Sequence, residues 1–107
     1  MDLREYLSAQ GTSPFGVWFN ALEAQAAARV AVVLARMENG NLANAKGVGA
    51  GVMECRIDVG PGYRIYFGRD GDSLIILLAG GTKRRQQRDI EAAQERWTDY
   101  KRRKRGS

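Results

Sequence analysis

No histidine occurs in this 107-residue chain. Its absence removes the commonest general acid–base group and the commonest metal ligand. The single cysteine, Cys55, excludes an intrachain disulfide and, with no histidine to join it, argues against a zinc site. Walker loops, dinucleotide fingerprints and Gly-x-Ser-x-Gly elbows are missing too, so neither a cofactor nor a metal is expected. No run approaches the ~18–20 apolar residues of a membrane-spanning helix. The start, Met1-Asp2-Leu3-Arg4-Glu5-Tyr6, is charged and lacks a following apolar region of the signal-peptide kind. A cytoplasmic protein with no membrane partner is therefore expected.

Acidic residues are also in short supply: 12 against 17 lysines and arginines, a net charge of +5. Such a balance favours polyanionic partners without choosing among them. Part of it sits in residues 101–105, Lys-Arg-Arg-Lys-Arg, so the body is less basic than the total. The length suits one domain with one modest core, and 44% hydrophobic with 27% charged residues is ordinary for a globular chain.

The most informative stretch runs from Glu54 to Phe67, two alternating segments around Gly60-Pro61-Gly62. Alternation about a tight turn predicts a β-hairpin. Met53, Cys55, Ile57 and Val59 share one face with Tyr63, Ile65 and Phe67, which is core. Glu54, Arg56, Asp58, Arg64 and Tyr66 take the other. With the turn centred on Pro61, Asp58 is expected opposite Arg64 and Arg56 opposite Tyr66. Asp70-Gly71 suits a second hairpin turn. It leads into the apolar run 73–79, a central strand that would pair Tyr66 with Ile75 and Arg64 with Leu77 and so give the polar face an apolar wall.

Elsewhere, residues 3–7 are expected as a short strand. Ser13-Pro14 is a helix start, with serine as N-cap and proline in the first turn. Phe15, Trp18, Phe19 and Leu22 then recur at helical spacing, and Ala26, Val30, Val33, Leu34 and Met37 continue the stripe. No breaker decides between one helix and a hairpin of two with a bend near Glu23-Ala24. Asn39-Gly40-Asn41 ends it. Residues 42–51 form a glycine-rich loop carrying Lys46. Thr82 caps a final helix from Lys83 to about Arg103, whose narrow stripe is Ile90, Ala93, Trp97 and Tyr100. The order defines an α+β fold: a small, mainly antiparallel twisted sheet with an N-terminal helical hairpin and a C-terminal helix.

Several blocks together resemble a known family. Residues 13–19 (Ser-Pro-Phe-Gly-Val-Trp-Phe), 38–41, 46–52, the Gly60-Pro61-Gly62-Tyr63-Arg64 hairpin and residues 77–83 with 87–90 are similar to the addiction-module killer proteins, the HigB-like branch of the RelE/ParE toxin superfamily. The resemblance implies a RelE-like fold, and residues 1–107 are expected as a single toxin-like domain, with about 101–107 a frayed basic tail. It implies a type II toxin that cuts mRNA on the ribosome as an endoribonuclease. Its partners would be ribosome, mRNA and a cognate antitoxin, expected to carry a helix-turn-helix and to be encoded alongside. Two alternatives stay open: a ParE-type DNA gyrase inhibitor without nuclease activity, and a non-catalytic nucleic-acid-binding relative.

For RNA cleavage a ribose 2′-OH must lose its proton, the crowded phosphate must be stabilised and the 5′-oxygen protonated. A guanidinium fork suits the phosphate. Arg64 is the first candidate, matching the arginine of the family hairpin, against an ordinary surface pair with Asp58. Lys83 matches the family's Gly-Gly-x-Lys and sits where strand becomes helix. Lys46 is a candidate for phosphate contact or, with Arg56 and Arg64 lowering its pKa, for base. Arg56, Tyr66, Arg84 and Arg85 are candidates for RNA binding, Tyr66 by stacking on a base. Tyr63 belongs to the core. Gln87, Arg88 and Asp89 suggest no specific chemistry. Trp97, Asp99 and Tyr100 are the only acidic–aromatic group near the end of the chain. With no histidine, cleavage is expected to depend on positioning by the ribosome.

Overall fold

Local chemistry sets the first elements as expected. In the computed structural model, which describes residues 1–106, the Ser13 Oγ accepts from the Gly16 amide at 2.9 Å and opens α1 (Pro14–Asn20). The long apolar stripe is a pair of helices. Ala21 and Leu22 close α1 by bonding back to Trp18 and Phe19, Glu23 is extended, and α2 (Ala24–Glu38) follows. The break lets Phe15 and Trp18 meet one part of the sheet while Ala26, Val30 and Met37 bury elsewhere along it.

Five strands form one sheet in the order β1-β5-β4-β3-β2: β1 (Asp2–Glu5), β2 (Ala45–Gly47), β3 (Val52–Ile57), β4 (Tyr63–Asp70) and β5 (Leu74–Thr82). Only β1 runs parallel to its neighbour, so the sheet is mixed but mainly antiparallel, and the α+β fold class stands. β1 lies one to two residues earlier than expected. Lys46, expected in a loop, lies on β2 with Glu54 as its cross-strand neighbour.

Both hairpin registers differ from expectation. In the first, Ile57 pairs with Tyr63, so Arg56 faces Arg64 and Glu54 faces Tyr66. The connection takes five residues, 58–62, with Gly60 and Gly62 both at positive φ. This slide is by two residues, so every side chain keeps its face. In the second, Asp70 pairs with Leu74 and Phe67 with Leu77, and an irregularity between Tyr66 and Phe67 then puts Tyr66 opposite Ala79 and Arg64 opposite Gly81. Ile75 and Leu77 therefore lie on the other face, with Ile65 and Phe67 under α1 and α2, and they build no wall beside Arg64.

The second face has its own core: Val52, Tyr66, Ile76, Leu78 and Ala79 under Ala93 and Trp97 of α3 (Gln86–Gly106). A short 3₁₀ turn, Lys83–Arg85, precedes α3, and Thr82 is the last strand residue, without a side-chain cap bond. Two glycines fix how closely the layers approach. A Cβ on Gly80 would stand 2.0 Å from the Trp18 ring, and one on Gly68 2.5 Å from the Trp97 ring. Within the tail expected to fray, α3 continues to Gly106. Lys104 Nζ lies 2.5 Å from Asp70, and Arg103 donates to the Leu7 carbonyl at 2.8 Å and to the Tyr6 hydroxyl at 2.9 Å, so α3 is tied down through its last turn. Among the described residues no helix is long and apolar enough to cross a membrane.

Candidate functional site

The polar face of the first hairpin centres on a residue that the sequence did not single out. Glu54 is fully buried, and three cations converge on its carboxylate. Lys46 Nζ approaches from β2 at 4.0 Å, Arg56 Nε from two residues along β3 at 3.7 Å, and Arg64 Nε from β4 at 3.5 Å. Pleating explains the set, because the directly opposed, diagonal and i+2 positions of one sheet face lie within reach of each other. From the start of α3, Gln86 donates its Nε2 proton to Glu54 Oε2 at 2.8 Å, a second contact with no signal in spacing or motif.

Three atoms at the heart of the cluster, Glu54 Oε1, Arg64 Nε and Tyr66 Oη, lack a hydrogen-bond partner among the described residues. Arg64 Nε meets Glu54 as an ion pair, too long for a good hydrogen bond. Burial pushes the Tyr66 phenol well up from its ordinary value, and the negative charges of Glu54 and Asp89 add to the shift. Asp89 is itself raised by burial, against the pull of Arg85, Arg96 and Arg88. Its carboxylate fills the space over Gly81, where a Cβ would meet Oδ2 at 2.0 Å. Asp89 is thus a packed, half-buried acid beside the site.

Burial divides the candidates. Arg64 is 4% exposed and Tyr66 0%, so Arg64 is a buried partner of Glu54 and Tyr66 is core, closed to stacking on a base. Lys46 and Arg56 keep about half of their side chains in solvent while facing the buried carboxylate. The structure thus gives Lys46 a carboxylate as neighbour, not only the cations expected to make it a base. Lys83, Arg84 and Arg85 lie exposed on the 3₁₀ turn. The Lys83 amide donates to the Gly62 carbonyl at 3.0 Å, which fixes that turn beside the hairpin loop. Three cations around one anion leave the cluster net positive. Chemically it can hold a phosphodiester at Lys46 and Arg56. The buried Glu54–Arg64 pair fixes their direction but does not itself reach a ligand.

The acidic–aromatic group is remote and structural. Asp70 ends β4 six residues beyond Arg64, about 20 Å along the strand. There Tyr100 donates to Asp70 at 2.6 Å, and Trp97 stacks on Tyr100. Asp99 takes the Tyr6 hydroxyl at 2.6 Å and pairs with Arg102 and Arg103. The bond from Arg103, then that from Tyr6, holds the Asp99 carboxyl at about 2, below its ordinary value. A group depressed on folding contributes stability above its unfolded pKa and loses it as pH falls through the folded one. Asp99→Asn is therefore expected to melt below wild type by a constant interval above pH ~4, with the interval closing as pH falls toward ~2. Melting temperatures of the two proteins across that range check it.

Fold and site together define a class: a small basic α+β protein with a cationic cluster organised on a buried carboxylate at one end of its sheet. Residues 17–98 match the model of the phage-derived protein Gp49-like family (DUF891), and the chain belongs to that family. An uncharacterized protein of Haemophilus influenzae (strain Rd) is 39% identical over 83 residues, covering 77% of this chain and 84% of its own length. Assignment to the HigB-like branch of RelE/ParE is corrected by this match. The motifs behind it were mostly turn and cap chemistry, Gly-Pro-Gly and Gly-Gly before a helix, which many sheets of this size need for geometric reasons. The matched segment holds every member of the Glu54 cluster.

Proposed function

We propose that the protein is a toxin of a toxin–antitoxin module that acts on mRNA at the ribosome and halts translation. The observation that carries this reading is the convergence of Lys46, Arg56 and Arg64 on buried Glu54, which presents two half-exposed cations on rigid strands. The exposed Lys83, Arg84 and Arg85 flank it and extend the contact along the RNA backbone. In the cleavage step the 2′-oxygen bonds to the adjacent phosphorus as the bond to the 5′-oxygen breaks. The 2′-OH proton passes to water, and water protonates the leaving oxygen. Lys46 and Arg56 stabilise the charge that builds on the phosphate. No exposed side chain of the cluster is a good proton carrier, so the rate depends on a substrate the ribosome has already positioned. An antitoxin, encoded alongside and carrying a helix-turn-helix, completes the module.

Burial of Arg64 and Glu54 favours a second reading, RNA binding that blocks translation without cutting. Induction in a bacterial host separates the two. Wild type is expected to arrest growth and to create new mRNA 5′ ends, and Lys46→Gln/Arg56→Gln to do neither. Arrest without new ends selects the second reading, and normal growth under wild-type induction contradicts the toxin assignment.

A further inference from the structure

Beside the cluster, on the side of α2, lies a cavity of about 260 Å³ between that helix and the far end of β3. Arg29 and Arg36, two turns apart on one face of α2, line it together with Arg56 and a single carboxylate, Asp58. Val32 and Val33 form its apolar side, and Val32 is about half exposed. Among the described residues neither Arg29 nor Arg36 has an ion pair or a side-chain hydrogen bond, although Glu23 and Glu38 are on or next to the same helix. β2 pairs with β3 only as far as Cys55, which leaves the strand edge at Arg56 open toward the cavity. Arg56 borders both the cavity and the Glu54 cluster.

We propose that this cavity is a second RNA subsite that takes the nucleotide next to the one held at Lys46 and Arg56. Arg29 and Arg36 grip its phosphate, and its base lies against Val32 and Val33. Charge complementarity carries the choice of ligand: the two guanidiniums of Arg29 and Arg36 against one carboxylate suit an anion. The volume, just under the usual ~300–1,000 Å³ of ligand pockets, suits a single nucleotide unit rather than a folded partner. The continuous path through Arg56 makes the ligand the same strand. This subsite rests on the RNA-directed reading above.

The test is fluorescence anisotropy of purified wild type, Arg29→Gln/Arg36→Gln and Lys46→Gln/Arg56→Gln with a short single-stranded oligoribonucleotide over a salt series. Both arginines are exposed, and a matching melting temperature confirms that the variant is folded. Arg29→Gln/Arg36→Gln is expected to bind more weakly, with a logarithmic salt slope smaller by about 1.4, the value for two lost phosphate contacts on a single strand. If it binds with wild-type affinity and slope while Lys46→Gln/Arg56→Gln is weakened, the subsite is wrong and the RNA reading stands. If wild type binds no RNA, both fall. A glutamate-rich peptide is run in parallel. Capture of that peptide through Arg29 and Arg36, with RNA binding indifferent to them, would make the cavity a peptide site and overturn the proposal.

Discussion

Glu54→Ala is expected to lower the free energy of unfolding by about 3–5 kcal/mol, the usual result of removing one partner from a buried ion pair. The carboxylate is fully enclosed, and Arg64, almost as deep, would keep its charge with no anion facing it. Gln86 would lose its acceptor as well. Glu54→Gln keeps the volume and a carbonyl for Gln86 but removes the charge, so it should be destabilised by a similar mechanism and to a smaller extent. The decisive comparison is Glu54→Met/Arg64→Met. Removing both charges together avoids the unpaired ion, so the double variant is expected to be more stable than Glu54→Ala despite two substitutions. Urea unfolding of the three proteins reads this directly. A Glu54→Ala protein within ~0.5 kcal/mol of wild type would mean that the pair is solvated and the cluster is not the organising feature described.

The second large effect is expected where α3 meets the sheet. Trp97 lies flat against Gly68, stacks on Tyr100 and packs with Val52, Tyr66 and Ala93. Trp97→Ala should cost about 3–5 kcal/mol through the cavity it leaves. Gly68→Ala introduces a methyl 2.5 Å from the indole of the buried Trp97. The strand and the helix must separate, an overpacking cost of about 1–3 kcal/mol. The two positions share the same space, so their effects should not add. In a Trp97→Leu background, Gly68→Ala is expected to cost markedly less than in wild type. Equal costs in the two backgrounds would show that indole and glycine do not meet as described.

Much of the fold was written in local patterns. Alternation from Met53 to Phe67 sorted the two sheet faces correctly even though the turn was placed wrongly, because a slide of two residues preserves parity. Ser13-Pro14 marked its helix start. The second hairpin failed for the complementary reason. Tyr66 and Arg64 pair four residues further along β5 than expected, and the irregularity between Tyr66 and Phe67 changes the shift to an odd one for the rest of the hairpin, which no side-chain pattern announces. That single error put Ile75 and Leu77 on the wrong side of the sheet. β2 was hidden because three residues, one of them glycine, in a glycine-rich stretch look like a loop until β3 supplies their partners.

The site was legible as a cluster and illegible in its depth. Lys46, Arg56 and Arg64 do converge, but the sequence pointed to the cations and passed over the anion that gathers them. Glu54 sits two residues before Arg56 on the same strand face, and that spacing was the available signal. Which members would be buried depended on α3 closing over β4, a contact between residues some thirty apart. Tyr66 changed from a stacking platform to core for the same reason. The basic tail looked solvated because its anchors, Asp70, Tyr6 and the Leu7 carbonyl, come from distant parts of the chain.

The central claim is that the half-exposed Lys46 and Arg56, held in direction by buried Glu54, grip the RNA backbone. It is tested most directly by the salt dependence of RNA binding for wild type and Lys46→Gln/Arg56→Gln, with Glu54→Gln as a third protein. Wild type should bind a short single-stranded RNA with a steep negative slope, and the double variant with a slope smaller by about 1.4 and a weaker affinity at every salt concentration. Glu54→Gln, if folded, should keep the slope, since both cations remain, and lose affinity because they are no longer held in place. Equal slopes and affinities for wild type and the double variant would contradict the account, since binding would then owe nothing to the site.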